Sequence, residues 1–148
     1  MDLLKLTKKN RCVFAIKLAE RAASYLYERE YKKNIDKAIN YCWEWIWEEK
    51  QLGEILYNCL DDEGNGLTIF QEMEEQEKCI YALDCIIDAI AYISKASYEK
   101  EGVKYLPEPI EIVDDNIFVH MKDSLLLCDS GEIEYIENEY KKCLVQSL

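Results

Sequence analysis

Only seven of the 148 residues are Gly or Pro, and they fall at a few points (Gly53, Gly64, Gly66, Gly102, Pro107, Pro109 and Gly131) that leave long stretches unbroken. These two residue types end helices and supply tight turns, so a chain this poor in them favours long helices over short strands joined by hairpins. The stretches between them carry apolar residues at helical spacing. From Asn10 to about Glu30, Val13, Ile16, Ala19, Ala22, Ala23 and Leu26 fall toward one side, with Lys17, Glu20, Ser24 and Glu28 opposite. A second helix is predicted from a cap at Asn34 or Asp36 to about Lys50, with Ile35, Ile39, Cys42 and Ile46 as its seam. A short helical piece follows Gly53 and runs to Leu60. Thr68 and Gln71 then have the spacing of a capping box, and the pattern stays helical to about Glu101 with a break near Glu75.

Pro107 and Pro109 interrupt this regime, because each fixes its own φ and pushes the residue before it toward extended geometry. Residues 102–114 are therefore expected to form a connector, with a short strand at Ile110 to Val113. Asp114 or Asp115 can cap a helix carrying Ile117, Met121, Leu125 and Cys128. Asp129 and Glu132 can cap a last one carrying Ile133, Ile136, Tyr140 and Leu144. No internal repeat or second-domain linker is visible. The expected fold is all-α, a compact bundle of five to seven helices in a single domain over residues 1–148.

With 49% apolar residues the chain can bury a core without covalent staples. The start, Met1-Asp2-Leu3-Leu4-Lys5, lacks the apolar segment of a signal peptide. The most apolar stretch, Cys79 to Ile93, is too short to span a bilayer and contains Asp84 and Asp88. A cytoplasmic location is expected. The seven cysteines (12, 42, 59, 79, 85, 128 and 143) contain no C-x-x-C and mostly sit inside apolar runs, the pattern of reduced thiols used as small core residues.

Thirty carboxylates against eighteen Lys and Arg give a formal charge of −12, unevenly placed: residues 1–37 carry +5 and residues 38–148 carry −17. Such a field repels nucleic acid and anionic lipid and speeds encounter with a basic protein surface. Neither nucleic acid nor membrane is an expected partner, and binding is favoured over catalysis.

Three stretches imitate reactive sites. Asp61, Glu63, Asn65 and Glu72 fall at positions 1, 3, 5 and 12 of a calcium loop, with Gly66 at the turn. Glu63 is long for its position, Thr68 stands where an aliphatic residue is usual, and no second loop exists to pair with it. The alternative is a solvated acidic turn followed by a helix whose early carboxylates, Glu72, Glu74 and Glu75, suit the N-terminal dipole. On the central helix, Glu77, Asp84, Asp88 and Lys95 form one narrow strip among isoleucines. Paired metals on such helices want Glu-x-x-His, and the only histidine, His120, has Ile117 three residues before it. Asp84 and Asp88 are therefore expected to pair with a base such as Arg21, to point to solvent, or to face a partner groove. A nucleophilic couple would have to use His120, whose neighbours Phe118, Val119 and Met121 read as a half-buried helix surface. No phosphate loop is present, so no catalytic residue, cofactor or resident metal is expected.

All three tryptophans lie within Trp43-Glu44-Trp45-Ile46-Trp47. With Ile39, Cys42 and Ile46 facing the core, Trp43 and Trp47 share one flank and Trp45 takes the other, so they cannot be equally buried. They either wedge helices apart or leave one ring as an anchor for a partner. The candidate partner-binding residues are Glu44, Trp45, Trp47 and Glu48, with the acidic Asp61, Asp62, Glu63, Glu72 and Glu75.

Three segments together resemble a known family. A first helix of the type Cys12-Val13-Phe14-Ala15-Ile16-Lys17-Leu18-Ala19-Glu20-Arg21, a second with Trp43-Glu44-Trp45-Ile46, and a later Ala82-Leu83-Asp84-Cys85-Ile86-Ile87-Asp88-Ala89-Ile90 are similar to the small all-helical immunity proteins of bacterial polymorphic toxin systems, nearest to immunity family six. The resemblance covers about residues 10 to 100. It implies a cytoplasmic protein, without catalytic residues, that binds and neutralises a cognate toxin domain; such toxins are often nucleases, whose basic sites suit an acidic partner. A small calcium-binding protein using residues 61–72 and a helical scaffold that self-associates through its aromatics are the competing classes. A monomer is the expected state.

Overall fold

The computed structural model describes residues 1–145, and residues 146–148 lie outside them. Among the described residues it is all-helical, with eight α-helices: α1 (Lys8–Ala23), α2 (Lys32–Glu48), α3 (Gly53–Asp61), α4 (Leu67–Met73), α5 (Glu77–Glu101), α6 (Glu108–Glu111), α7 (Ile117–Cys128) and α8 (Glu132–Val145). The count exceeds the expected five to seven because the connector holds a helix of its own. Pro107 takes the cap position and Pro109 the second helical position of α6, where a fixed φ and a missing N–H cost nothing. The strand expected at Ile110 to Val113 is therefore replaced by a helical turn, from which Ile110 drops into the core.

The 25-residue α5 is the axis of the bundle, with α1, α3 and α7 packed around it. α1 is nearly as enclosed: Phe14, Ala15 and Leu18 are fully buried, and Phe14 stacks on Phe118 of α7 at 5.8 Å. One contiguous core cluster runs from Leu6 to Cys143. All seven cysteines are free thiols; six are buried and Cys59 is half-buried.

Local signals were overruled at several helix ends. α1 stops at Ala23, seven residues short of the expected end, and passes through a single tighter turn at Ser24–Leu26. α2 then starts at Lys32, before either expected cap. The Thr68 and Gln71 capping box does not form, because α4 begins at Leu67, directly after Gly66. Thr68 instead donates through Oγ1 to the Leu60 carbonyl at 2.8 Å, and Gln71 reaches across to α5. The Asp129 side chain accepts from Gly131 N, and only its backbone carbonyl accepts from α8, while the Asp114 side chain accepts from Asn116 N in the turn before α7.

The seam between α3 and α5 shows how tightly the axis is wrapped. The first N–H groups of α3 would be orphans. Here Leu52 N donates to Ser97 Oγ at 3.1 Å and Gly53 N donates to the Glu101 carboxylate at 3.0 Å, while Ser94 donates back to the Gly53 carbonyl at 2.7 Å. Only a glycine permits this approach, since a Cβ on residue 53 would lie 2.7 Å from the Tyr98 ring. Replacing Gly53 with Ala is expected to lower stability by about 1–3 kcal/mol through overpacking, read as a lower Tm and an unchanged helical circular dichroism spectrum.

Candidate partner-binding surface

The three arginines of the basic N-terminal segment are consumed within the fold. Arg11 pairs with Asp115 at 3.1 Å, Arg21 with Glu132 at 2.7 Å and Arg29 with Glu74 at 3.1 Å. Each carboxylate takes a second partner: Tyr92 OH donates to Asp115, Tyr25 OH to Glu132 and Tyr31 OH to Glu74. Glu132 is buried, which only a full set of donors permits. Arg21 is thus engaged with α8, and the expected pairing of Arg21 with Asp84 or Asp88 does not occur. Asp84 accepts from Gln71 Nε2 at 2.6 Å, and Asp88 is bonded to His120 Nδ1.

Along one edge of the bundle acids are left over. Asp61, Asp62, Glu63, Glu72, Glu75 and Glu77 are all exposed, along an edge made by the end of α3, α4 and the link into α5. None of the six is in an ion pair among the described residues. Met73, also exposed, lies among them. The edge does not assemble a calcium loop. Asp61 is still in α3 and accepts from Tyr57 OH, α4 is already helical at Leu67, and no group of three or more His, Cys, Asp or Glu that could hold a metal ion occurs among the described residues.

The aromatic candidates divide as their positions on α2 require. Trp43 and Trp47 stack at 6.3 Å on one flank, with Trp43 Nε1 donating to Glu20 at 3.0 Å. Trp47 is 63% exposed, whereas Trp45 is 7% exposed and belongs to the core. Trp45 is therefore no surface anchor; it lies on the flank of α2 turned to the bundle, where its ring fills space. Glu44 and Glu48 are bridged by Lys50 at 2.5 and 2.9 Å, which offsets their charge. The two groups of candidates thus occupy separate places, one at the C-terminal end of α2 and the other along the acidic edge.

A groove that sequence reasoning missed opens beside that edge. It has a volume of about 440 Å³ and lies between the last turn of α3, the middle of α5, the connector and the start of α7. Leu60, Ile87, Ala91, Ile110, Val113 and Ile117 form its walls, and Asp61, Asp88 and Asp114 are its charged groups. Asp88 had been visible as part of the polar strip on α5. The connector that closes the groove could not be placed from spacing alone; Lys95 holds it there by donating to the carbonyls of Glu111 and Val113.

These features define an all-helical protein with an acidic, grooved face. A family model described as Immunity protein Imm6 matches residues 10–128, and the chain belongs to that family. Membership agrees with the resemblance drawn from the three helical segments and implies a cognate toxin as partner; immunity protein families are generally non-enzymatic. Neither a curated protein nor a solved structure matches the chain. No helix among the described residues is long and apolar enough to cross a membrane.

Two expected outcomes follow from this geometry. Trp45→Ala should cost about 3–5 kcal/mol of stability in denaturant unfolding, and Trp47→Ala far less, because only the first empties a core position. Trp45→Phe should be milder than Trp45→Ala, since the indole Nε1 is buried without a hydrogen-bond partner among the described residues. The second outcome concerns pH. Burial pushes Asp88 up to about 6 against the opposing pull of His120, and the hydrogen bond to Asp88 raises His120 above its ordinary value. Both groups hold a proton more tightly folded than unfolded, so their contribution to stability is present at low pH and is lost as pH rises through 6 and beyond. Thermal melts of wild type and Asp88→Asn between pH 5 and 8 should therefore show a wild-type advantage that shrinks as pH rises; an advantage that grows would reverse the assignment.

Proposed function

We propose that this chain binds a cognate bacterial toxin domain and neutralises it, using the acidic edge from Asp61 to Glu77 as the main attractive surface and the Trp47 end of α2 as a second contact. The observation that carries this reading is the asymmetry of charge use. The arginines of the basic segment are tied to carboxylates inside the fold, whereas six carboxylates of the edge have no cationic partner among the described residues. Left unpaired, such charges repel one another, and a cationic partner relieves that repulsion. A basic toxin domain, such as a nuclease whose own substrate is anionic, fits that surface.

On this reading the protein is a cytoplasmic monomer that acts by occlusion, with no catalytic residue, cofactor or metal. His120 is engaged with Asp88, and burial pushes the thiols of Cys12, Cys42, Cys85, Cys128 and Cys143 up, away from the thiolate that nucleophilic chemistry needs.

The test is stopped-flow association with the toxin domain encoded beside it, at two ionic strengths. Association should slow steeply with salt while dissociation changes less, since long-range attraction acts on encounter and packing acts on escape. Asp62→Lys with Glu75→Lys should slow association, and Trp47→Ala should hasten dissociation at a cost of about 2 kcal/mol. Salt-independent association would remove the electrostatic reading, and no complex with wild type would remove the immunity reading.

A further inference from the structure

The groove beside the acidic edge combines two properties that rarely coincide. Its walls are carbon, supplied by Leu60, Ile87, Ala91 and Val113, yet it contains three carboxylates, Asp61, Asp88 and Asp114, and no Lys, Arg or His lines it. Its acids come from three different elements, α3, α5 and the turn before α7, so the tertiary fold and not local sequence brings them together. Asp88 is the deepest, with its side chain 17% exposed. Asp88 is already bonded to His120 and Asp61 accepts from Tyr57 OH, but neither Asp61 nor Asp114 has a cationic partner among the described residues, and a purely apolar occupant would desolvate both, which is costly. A small hydrated cation would leave the walls uncovered. The side chain that satisfies both is arginine: its aliphatic stem lies along apolar surface, and its weakly hydrated guanidinium presents several donors in a plane to carboxylates.

We propose that this groove receives an arginine of the toxin domain, carried on an otherwise apolar loop or helix whose neighbouring side chains cover the Ile87, Ala91 and Ile117 wall. This rests on the immunity reading and gives it a location. Charge complementarity selects the occupant, since Asp61 belongs both to the exposed acidic edge and to the groove, and so joins the surface that attracts the partner to the cavity that holds it. The edge draws the toxin in, and the groove retains it.

The experiment compares two double variants that remove the same charge from nearly the same place. Asp61→Asn with Asp114→Asn neutralises groove acids while keeping the side-chain oxygens that accept from Tyr57 OH and Asn116 N. Asp62→Asn with Glu63→Gln neutralises two acids of the same edge that do not line the groove. Binding to the toxin domain, followed by biolayer interferometry, should weaken roughly thirtyfold for the groove pair, mainly through faster dissociation, and only about twofold for the control pair, through slower association. Equal weakening by the two pairs overturns the proposal. A second measurement, free of the toxin, is methyl NMR with n-butylguanidinium as probe. Saturable shifts confined to Ile87, Ala91 and Ile117, absent from the groove variant, support the assignment, and shifts spread over other helices overturn it. If wild type binds the probe but forms no complex with the toxin domain, the immunity reading fails and the named occupant with it, while the preference of the groove for guanidinium stands. If the groove pair instead dissolves a dimer seen by sedimentation, the occupant is a second copy of this chain and the toxin is excluded.

Discussion

The structure depends on enclosing one helix on nearly all sides. A helix buried in this way must satisfy every polar side chain it carries without water. Polar side chains along α5 are used to fasten other elements. Asp84 holds Gln71 of α4, Asp88 holds His120 of α7, Tyr92 holds Asp115, Lys95 holds the connector, Ser94 holds the Gly53 carbonyl and Ser97 receives Leu52 N. Apolar burial supplies the driving force, but it is non-directional. The polar contacts along α5 fix which helix lies where, and hence the shape of the groove between α3, the connector and α7.

Much of this architecture was legible in the sequence because it rests on periodicity. The scarcity of Gly and Pro, the apolar seams of α1 and α2 and the polar strip on α5 all report local geometry, and all were recovered. What failed were statements about partners. Arg21 was a reasonable base for Asp88, yet it went to Glu132, and nothing in the spacing of either residue could distinguish the two. The same holds for Thr68 and Gln71, whose capping pattern was real but whose side chains found better acceptors on neighbouring helices. The connector was misread for a different reason: two prolines signal both extended backbone and the first turn of a helix, and only the burial of Ile110 decides between them.

The candidate site was less legible than the fold. The acidic run from Asp61 to Glu75 was evident and is exposed except at Glu74, but Glu72, Glu74 and Glu75 lie at or beyond the C-terminal end of α4 and not in the first turn of a helix as expected. Trp45 and Trp47, two residues apart, could be assigned to opposite flanks, but which flank met solvent depended on where α1 and α5 lie. The groove itself required three segments separated by up to about fifty residues to converge, and no short-range signal marks such a convergence. The formal dipole along the chain misleads in the same way, for the three arginines of its basic end are spent on pairs with distant carboxylates and the surface charge is set by what remains.

The enclosure of α1 has a consequence for the order in which the molecule can be assembled. Its contacts lie far ahead along the chain: Asn10 donates to the Cys143 carbonyl, Arg11 pairs with Asp115, and Arg21 with Glu132, separations of 133, 104 and 111 residues. A chain emerging from the ribosome N-terminus first presents Phe14, Ile16 and Leu18 long before α7 and α8 exist to cover them. Until then α1 can pack on α2 and α5 alone, and the side that meets α7 and α8 stays uncovered. Most helical proteins gain speed from local contacts, but here the burial of the first helix made is completed only by the last two. Synthesis rate and chaperone access in that interval thus bear on how much folded protein a cell can raise.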